Sequence, residues 1–257
     1  MIVYHFGWDL SYYGYLATDV TTDLGWVLLQ RTILSSFLSL VGVGLVLGHG
    51  SGIRWPAFWR RFGILAAAAL AVTLGTWWMF PDYFVYFGIL HAIAAFSLAA
   101  LPFLRLRLWV LLAVAALFLL APQLFGSPQF GARHLAWIGF WTVLPDTTDI
   151  VPFFPWFAVV LLGMAGTRLL LASPAAGPVA AWPARGRLLR ALVWCGRHSL
   201  LIYLLHQPLL LGLLAAVSTV LPPAPAPLQR DADFIGSCEA GCAEPSKSME
   251  QRFGDLD

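Results

Sequence analysis

The sequence predicts an all-α, polytopic transmembrane helical bundle of about seven spans, the first of them truncated. Three observations predict it. Of the 257 residues 60% are hydrophobic, the mean hydropathy is +0.77 and 11% are charged, against about 25% charged in a typical soluble domain. Six apolar runs recur, at about 31–48, 62–80, 84–104, 108–125, 155–171 and 191–220. Most match the roughly 20 residues that cross a hydrocarbon core. None of the runs alternates strictly as barrel strands do, so they read as helices.

Residues 1–16 come first, apolar and aromatic but carrying His5 and Asp9. They read as the second half of a helix whose first half lies upstream of Met1, as a mis-assigned start codon or a truncated product would leave it. The next four runs each have the length of one span. The outer segment 126–154 is too long for a plain turn. Within it, residues 132–144 contain Trp137 and Trp141 and suit an interfacial or partly inserted position. Pro145, Pro152 and Pro155 argue against one helix through 144–156. Run 155–171 is again one span, and 172–190, rich in Pro, Ala and Gly, reads as a flexible linker. The last run holds Arg197, His198, His206 and Pro208, and a kink or tilt accommodates its length. Two domains follow, a transmembrane domain over 1–220 and a Pro-rich stalk with a polar tail over 221–257.

Arginine sets the expected orientation. Alternate connections carry Arg54, Arg60 and Arg61, then Arg105 and Arg107, then Arg168, Arg185, Arg187 and Arg190, with Arg197 just beyond. The opposite side holds Arg31, Arg133 and the carboxylates of Asp19, Asp23, Asp82, Asp146 and Asp149. The Arg-rich side is therefore expected in the cytoplasm and the tail in a bacterial periplasm or its equivalent. Cys238 and Cys242 in that tail are placed where a disulfide survives, while Cys195 in an apolar helix reads as an inert packed thiol. No basic stripe with interleaved aromatics is present, so nucleic-acid binding has no support. No zinc constellation, nucleotide-binding glycine loop or serine elbow appears, and no metal is expected.

Ionisable residues at membrane depth are expensive and mark functional sites. His5 heads the candidates, since a neutral imidazole is a good general base. Asp9 lies one helical turn on, where a carboxylate orients the ring or stabilises imidazolium. An interfacial histidine with a helix-end aspartate is the plainer reading. His91, three residues after Gly88, and His206, between Tyr203 and Pro208, suit either a substrate path or hydrogen bonds between helices. Arg197 suits the phosphates of an anionic cofactor or a positive-inside anchor. Asp149, before Pro152 and Pro155, suits a polar acceptor or a helix cap.

The ordered motifs carry a resemblance. They are Tyr4-His5-Phe6-x-Trp8-Asp9-Leu10, Gly88-Ile89-Leu90-His91-x-Ile93-Ala94, Asp149-x-x-Pro152-x-x-Pro155-Trp156-Phe157 and Gly196-Arg197-x-Ser199-Leu200-x-Ile202-Tyr203-Leu204-x-His206-Gln207-Pro208. Together they resemble the bacterial branch of the heparan-α-glucosaminide N-acetyltransferase-like family, itself similar to the acyltransferase-3 transmembrane enzymes. Tail residues Ser237-Cys238-Glu239-Ala240-x-Cys242 also resemble some members. The resemblance implies an inner-membrane enzyme that takes an acyl group, acetyl above all, from cytoplasmic acyl-CoA. It delivers that group to the hydroxyl or amine of an outward-facing sugar or glycan. It also implies His5 as the histidine ending the first helix of the acyltransferase-3 pattern. Two departures stand out. The Asp-x-Leu-Arg-Gly segment that starts this helix in the family is absent, and residues 11–30 hold no histidine, whereas the animal lysosomal enzymes place theirs in the loop after the first helix.

The expected site is thus His5 and Asp9 as catalytic residues, Arg197 for acyl-CoA, and His91, Asp149 and His206 for substrate. The partners are the lipid bilayer, acyl-CoA, a periplasmic sugar and a second copy in a homo-oligomer. Three rivals remain open: a non-catalytic transport or binding protein for a small polar solute, a b-type haem protein ligated by His91 and His206, and an inactive truncated homologue.

Overall fold

The computed structural model describes residues 1–183 and 186–223. The expected stalk and tail from 224 onward, with Cys238 and Cys242, lie outside the described residues. Nine α-helices run through the described chain: α1 (Ile2–Tyr12), α2 (Leu24–His49), α3 (Trp55–Met79), α4 (Ile89–Ala99), α5 (Leu108–Phe125), α6 (Phe153–Ala172), α7 (Ala176–Ala180), α8 (Arg187–Arg197) and α9 (Ser199–Val220). Turns of 3-10 helix follow α4 at Leu101–Arg105 and α5 at Pro128–Gly131. The only strand-like pairing among the described residues is a bridge between Phe87 and Ile150. Five helices, α2, α3, α5, α6 and α9, are long and apolar enough to cross a membrane, so this is a multi-pass, all-α protein.

Four expectations change. Run 84–104 forms only the 11-residue α4. Residues ahead of it are extended, with the Val151 amide donating to the Phe87 carbonyl at 2.9 Å and the Thr148 amide to the Tyr83 carbonyl at 2.9 Å. Pro102 follows it in the 3-10 turn. Irregular backbone is tolerated at membrane depth where protein buries and pairs it, and α4 is the most enclosed helix, burying Leu90, Ala92, Ile93, Ala94, Phe96 and Ser97. The last run also divides, at His198, into α8 and the apolar α9. Helix α8 is amphipathic and exposed along its length, which leaves Cys195 exposed as well. Pro208 sits within α9. The segment 172–190 is not wholly irregular, because α7 and the start of α8 fall inside it.

Local chemistry sets the helix ends. The Asp23 carboxylate accepts from the Trp26 amide at 3.2 Å, an N-cap that starts α2 seven residues before the apolar run. Pro56 in the first turn of α3 is pre-organised for a helix start. The Asp19 carboxylate accepts from the amide and hydroxyl of Thr21 at 2.8 and 2.6 Å, and these bonds hold it below its usual range.

The chain divides into two compact units. One, Arg31–Leu204, has a core of Leu38, Phe96, Leu111, Phe157, Leu161 and Met164, all fully buried. In it α2 meets α6 through glycine: a Cβ on Gly42 would overlap the Val160 carbonyl, and one on Gly163 the Ser39 carbonyl. Such small-residue contacts let helix backbones approach closely in lipid. Gly139 has φ +101° and lies against the Phe154 carbonyl, so only glycine fits that turn. The amides of Phe153 and Phe154 donate to the carbonyls of Trp137 and Ile138 at 2.7 and 2.8 Å. Segment 132–144 is thus a set of turns fastened to the start of α6.

The other unit joins Met1–Gln30 to the described chain from Leu205. Tyr13 donates to the Leu211 carbonyl at 3.3 Å and Tyr15 to the Leu221 carbonyl at 2.6 Å. The Trp26 indole covers Gly7, where a Cβ would collide with the ring.

Gly42→Ala and Gly163→Ala are expected to destabilise by about 1–3 kcal/mol each through overpacking. Gly63→Ala, with nothing within 4 Å of its Cβ position, is expected to be neutral or stabilising. Thermal unfolding in detergent checks both, and equal melting points for all three would remove the glycine contact from the account.

Candidate functional site

His5 and Asp9 share a face of α1, one turn apart. Asp9 has no exposed surface. Gln207 Nε2 of α9 donates to its Oδ1 at 2.6 Å, so the carboxylate engages α9 rather than capping its own helix end. The bond fixes α9 in rotation, and the residue before Gln207 brings its ring to His5. The His5 and His206 centroids are 4.8 Å apart with planes at 64°. His206 is buried and His5 half-buried. Tyr4 packs edge-on against His5 at 5.7 Å and against Trp26 at 6.2 Å. Two enclosed oxygens, Asp9 Oδ2 and Gln207 Oε1, meet no donor among the described residues. Two imidazoles and two acceptor oxygens are thereby collected within one unit.

A second group lies in the unit Arg31–Leu204. Asp149 Oδ2 accepts from the Ile89 amide at 3.1 Å, at the first turn of α4. Asp149 is therefore a helix cap, but for a helix 60 residues away rather than for the adjacent α6. Gly88 makes room for it, since a Cβ there would overlap the carboxylate. Thr147 donates to the Phe84 carbonyl at 2.9 Å and holds the loop in register. Burial pushes the Asp149 carboxyl above its ordinary range, and the Ile89 amide opposes that rise.

His91 lies in the same first turn of α4. Thr73 of α3 donates its hydroxyl proton to the Val85 carbonyl at 2.8 Å and meets His91 Nε2 at 3.1 Å. A hydroxyl has one proton, so the ring N–H is the donor in that second contact. The assignment leaves Nδ1 of neutral His91 as an acceptor. Arg197 is exposed at the C-terminal end of α8.

The model of the family heparan-alpha-glucosaminide N-acetyltransferase, catalytic, matches residues 1–208. The chain belongs to this family. The match takes in every residue of both groups, and it ends one position after Gln207. No curated protein and no solved structure matches the chain. Membership implies acetyltransferase activity, and the family uses acetyl-CoA as donor.

Thr73 is a polar partner that sequence reasoning passed over, and Gln207 stood in the motif without a role of its own. Gln207 was visible as an amide beside a membrane-depth histidine. Thr73 stands with Thr76 one turn apart in an otherwise apolar helix, a signal that points to a partner without naming it.

Asp149→Ala is expected to cost about 1–2 kcal/mol, the usual loss of a cap, and to loosen the start of α4. Asp149→Asn keeps an acceptor and is expected to retain most stability. Hydrogen exchange of the Ile89 amide distinguishes them: rapid exchange in the alanine variant only is the expected result.

Proposed function

We propose that the chain is an integral membrane acetyltransferase that moves an acetyl group from cytoplasmic acetyl-CoA to the amine or hydroxyl of an outward-facing sugar, with His5 as the catalytic base. The observation that carries this reading is the His5–His206 pair beside two unmatched acceptor oxygens. A hydroxyl or amine acceptor brings the hydrogen-bond donors that Asp9 Oδ2 and Gln207 Oε1 lack.

In the proposed step the acceptor heteroatom attacks the thioester carbonyl while a neutral His5 nitrogen takes its proton. The C–S bond then breaks, the imidazolium returns that proton to the departing thiolate, and acetylated acceptor and CoA thiol leave. His206 orients the His5 ring and contacts substrate. Asp9 acts through Gln207 as a positioning residue. To Asp149 and His91, within their own unit, we assign recognition of a polar substrate group, with the acceptor Nδ1 of His91 as the contact. Arg197 offers a guanidinium to phosphate on the Arg-rich side. In this reading residues 1–220 are the transmembrane domain, placed in a bacterial inner membrane, and the segment from 221 onward is a periplasmic stalk and tail.

The test is acetyl-CoA-dependent acetylation of glucosamine by the purified full chain. His5→Ala is expected to keep its unfolding temperature and lose about 100-fold or more in rate, the size of a general-base contribution. Full transfer by a folded His5→Ala protein would exclude the role. Gln207→Ala is expected to lower the rate and also the melting point, because Asp9 then loses its donor. An unchanged melting point would contradict the positioning role.

A further inference from the structure

Helix α8 is exposed from Arg187 to Arg197, yet it lies in the chain between two membrane spans. The span α6 ends at Ala172 and the span α9 begins at Ser199. A connection that does not itself cross must start and end at one membrane face. Residues 173–198 are therefore held at a single face. Helix α8 is held closest to it, because His198 alone separates it from α9. That junction is fixed. The amide and Nδ1 of His198 both donate to the Trp194 carbonyl, at 3.1 and 2.9 Å. The two rings lie 4.4 Å apart with planes at 30°.

The helix is two-sided. At about 100° per residue, Arg187, Arg190 and Arg197 gather on one side. Leu188, Leu189, Leu192, Val193 and Cys195 take the other. All four aliphatic side chains are exposed. Arg190 Nε donates to the Gly186 carbonyl at 3.4 Å, which leaves its terminal nitrogens for another acceptor. No carboxylate offsets this charge nearby in the chain, since the sequence holds no Asp or Glu between Asp149 and Asp231. An apolar side opposite a basic one, with an indole among the basic residues, is the pattern of a helix that lies in the plane of a lipid interface.

We infer that α8 docks on the bilayer surface, its leucines in the acyl boundary and Arg187 and Arg190 on the phosphates of anionic lipid headgroups. Two observations select that occupant. Chain connection already holds the leucines at the membrane face, so lipid is the apolar medium within their reach. Guanidiniums with no carboxylate about them match phosphate oxygens, and a second copy of α8 supplies no anion for them. The docked helix then sets the depth at which α9 begins. The inference stands on the multi-pass fold and does not need acetyl transfer. Arg197 shares the basic side but has been offered to the donor, so it stays unchanged in the test.

The probe is a nitroxide on Cys195, carried by the full chain with Cys238→Ser and Cys242→Ser. Cys195 is seven residues after Leu188 and three after Leu192, so the label reports the apolar side. Collision with a neutral, water-soluble nickel chelate is read in nanodiscs of phosphatidylcholine and in discs that also contain phosphatidylglycerol. The anionic discs are expected to lower the collision rate about fivefold or more, the response of basic residues meeting an anionic surface. Arg187→Ala with Arg190→Ala is expected to abolish the difference between the two discs. Arg187→Lys with Arg190→Lys keeps the charges and is expected to preserve most of it. Leu188→Ser with Leu192→Ser is expected to leave the label accessible in both.

A label equally open to the chelate in both discs overturns the inference. So does a fall in anionic discs that persists without Arg187 and Arg190. Dipolar broadening between labels on two copies, with no response to lipid charge, makes the apolar side a contact between chains and overturns it as well.

Discussion

Asp9 has no exposed surface, and a carboxylate in that position must be met by a donor or it destabilises the fold by several kcal/mol. Gln207, 198 residues later, meets it at 2.6 Å. The consequence is geometric. Side chains four apart on α1 and adjacent on α9 are locked in rotation together, and the His5 and His206 rings are brought to 4.8 Å. Tyr13 and Tyr15, just past the end of α1, tie the same segments again at the Leu211 and Leu221 carbonyls.

The same economy of polar groups shapes the other unit. A half-length helix such as α4 exposes amides that lipid cannot satisfy. Asp149 accepts from one of them, the Ile89 amide, segment 147–151 donates to the carbonyls of Tyr83, Phe84 and Phe87 ahead of the helix, and the shortened helix leaves space for a turn carrying Arg105. Thr73 likewise absorbs the Nε2 hydrogen of His91 and so leaves its other nitrogen an acceptor. In each case one hydrogen bond settles a helix position and the chemical state of a side chain at once.

Much of this was legible in the sequence, and the remainder was not for physical reasons. Apolar runs announced the spans because burial in lipid demands length and hydropathy. They mistook 84–104 for a full span because composition cannot distinguish an extended apolar segment from a helical one. The division at His198 was hidden in the same way, since α8 is apolar on only one face. His5, Asp9 and His206 stood out as ionisable groups in apolar surroundings. Their pairing did not, because an imidazole facing another across 201 positions leaves no local pattern. Asp149 was recognisable as a cap, but the helix it caps is distant, and only the fold could supply it.

The central claim is that Asp9 and Gln207 act as one unit. A double-mutant cycle with Asp9→Ala, Gln207→Ala and the pair together, read by unfolding in detergent, measures it most directly. The account predicts a coupling of about 1–3 kcal/mol, with the double variant more stable than the sum of the single losses, because each single change strands a buried polar group. Additivity within about 0.5 kcal/mol, the value expected of independent sites, would contradict it.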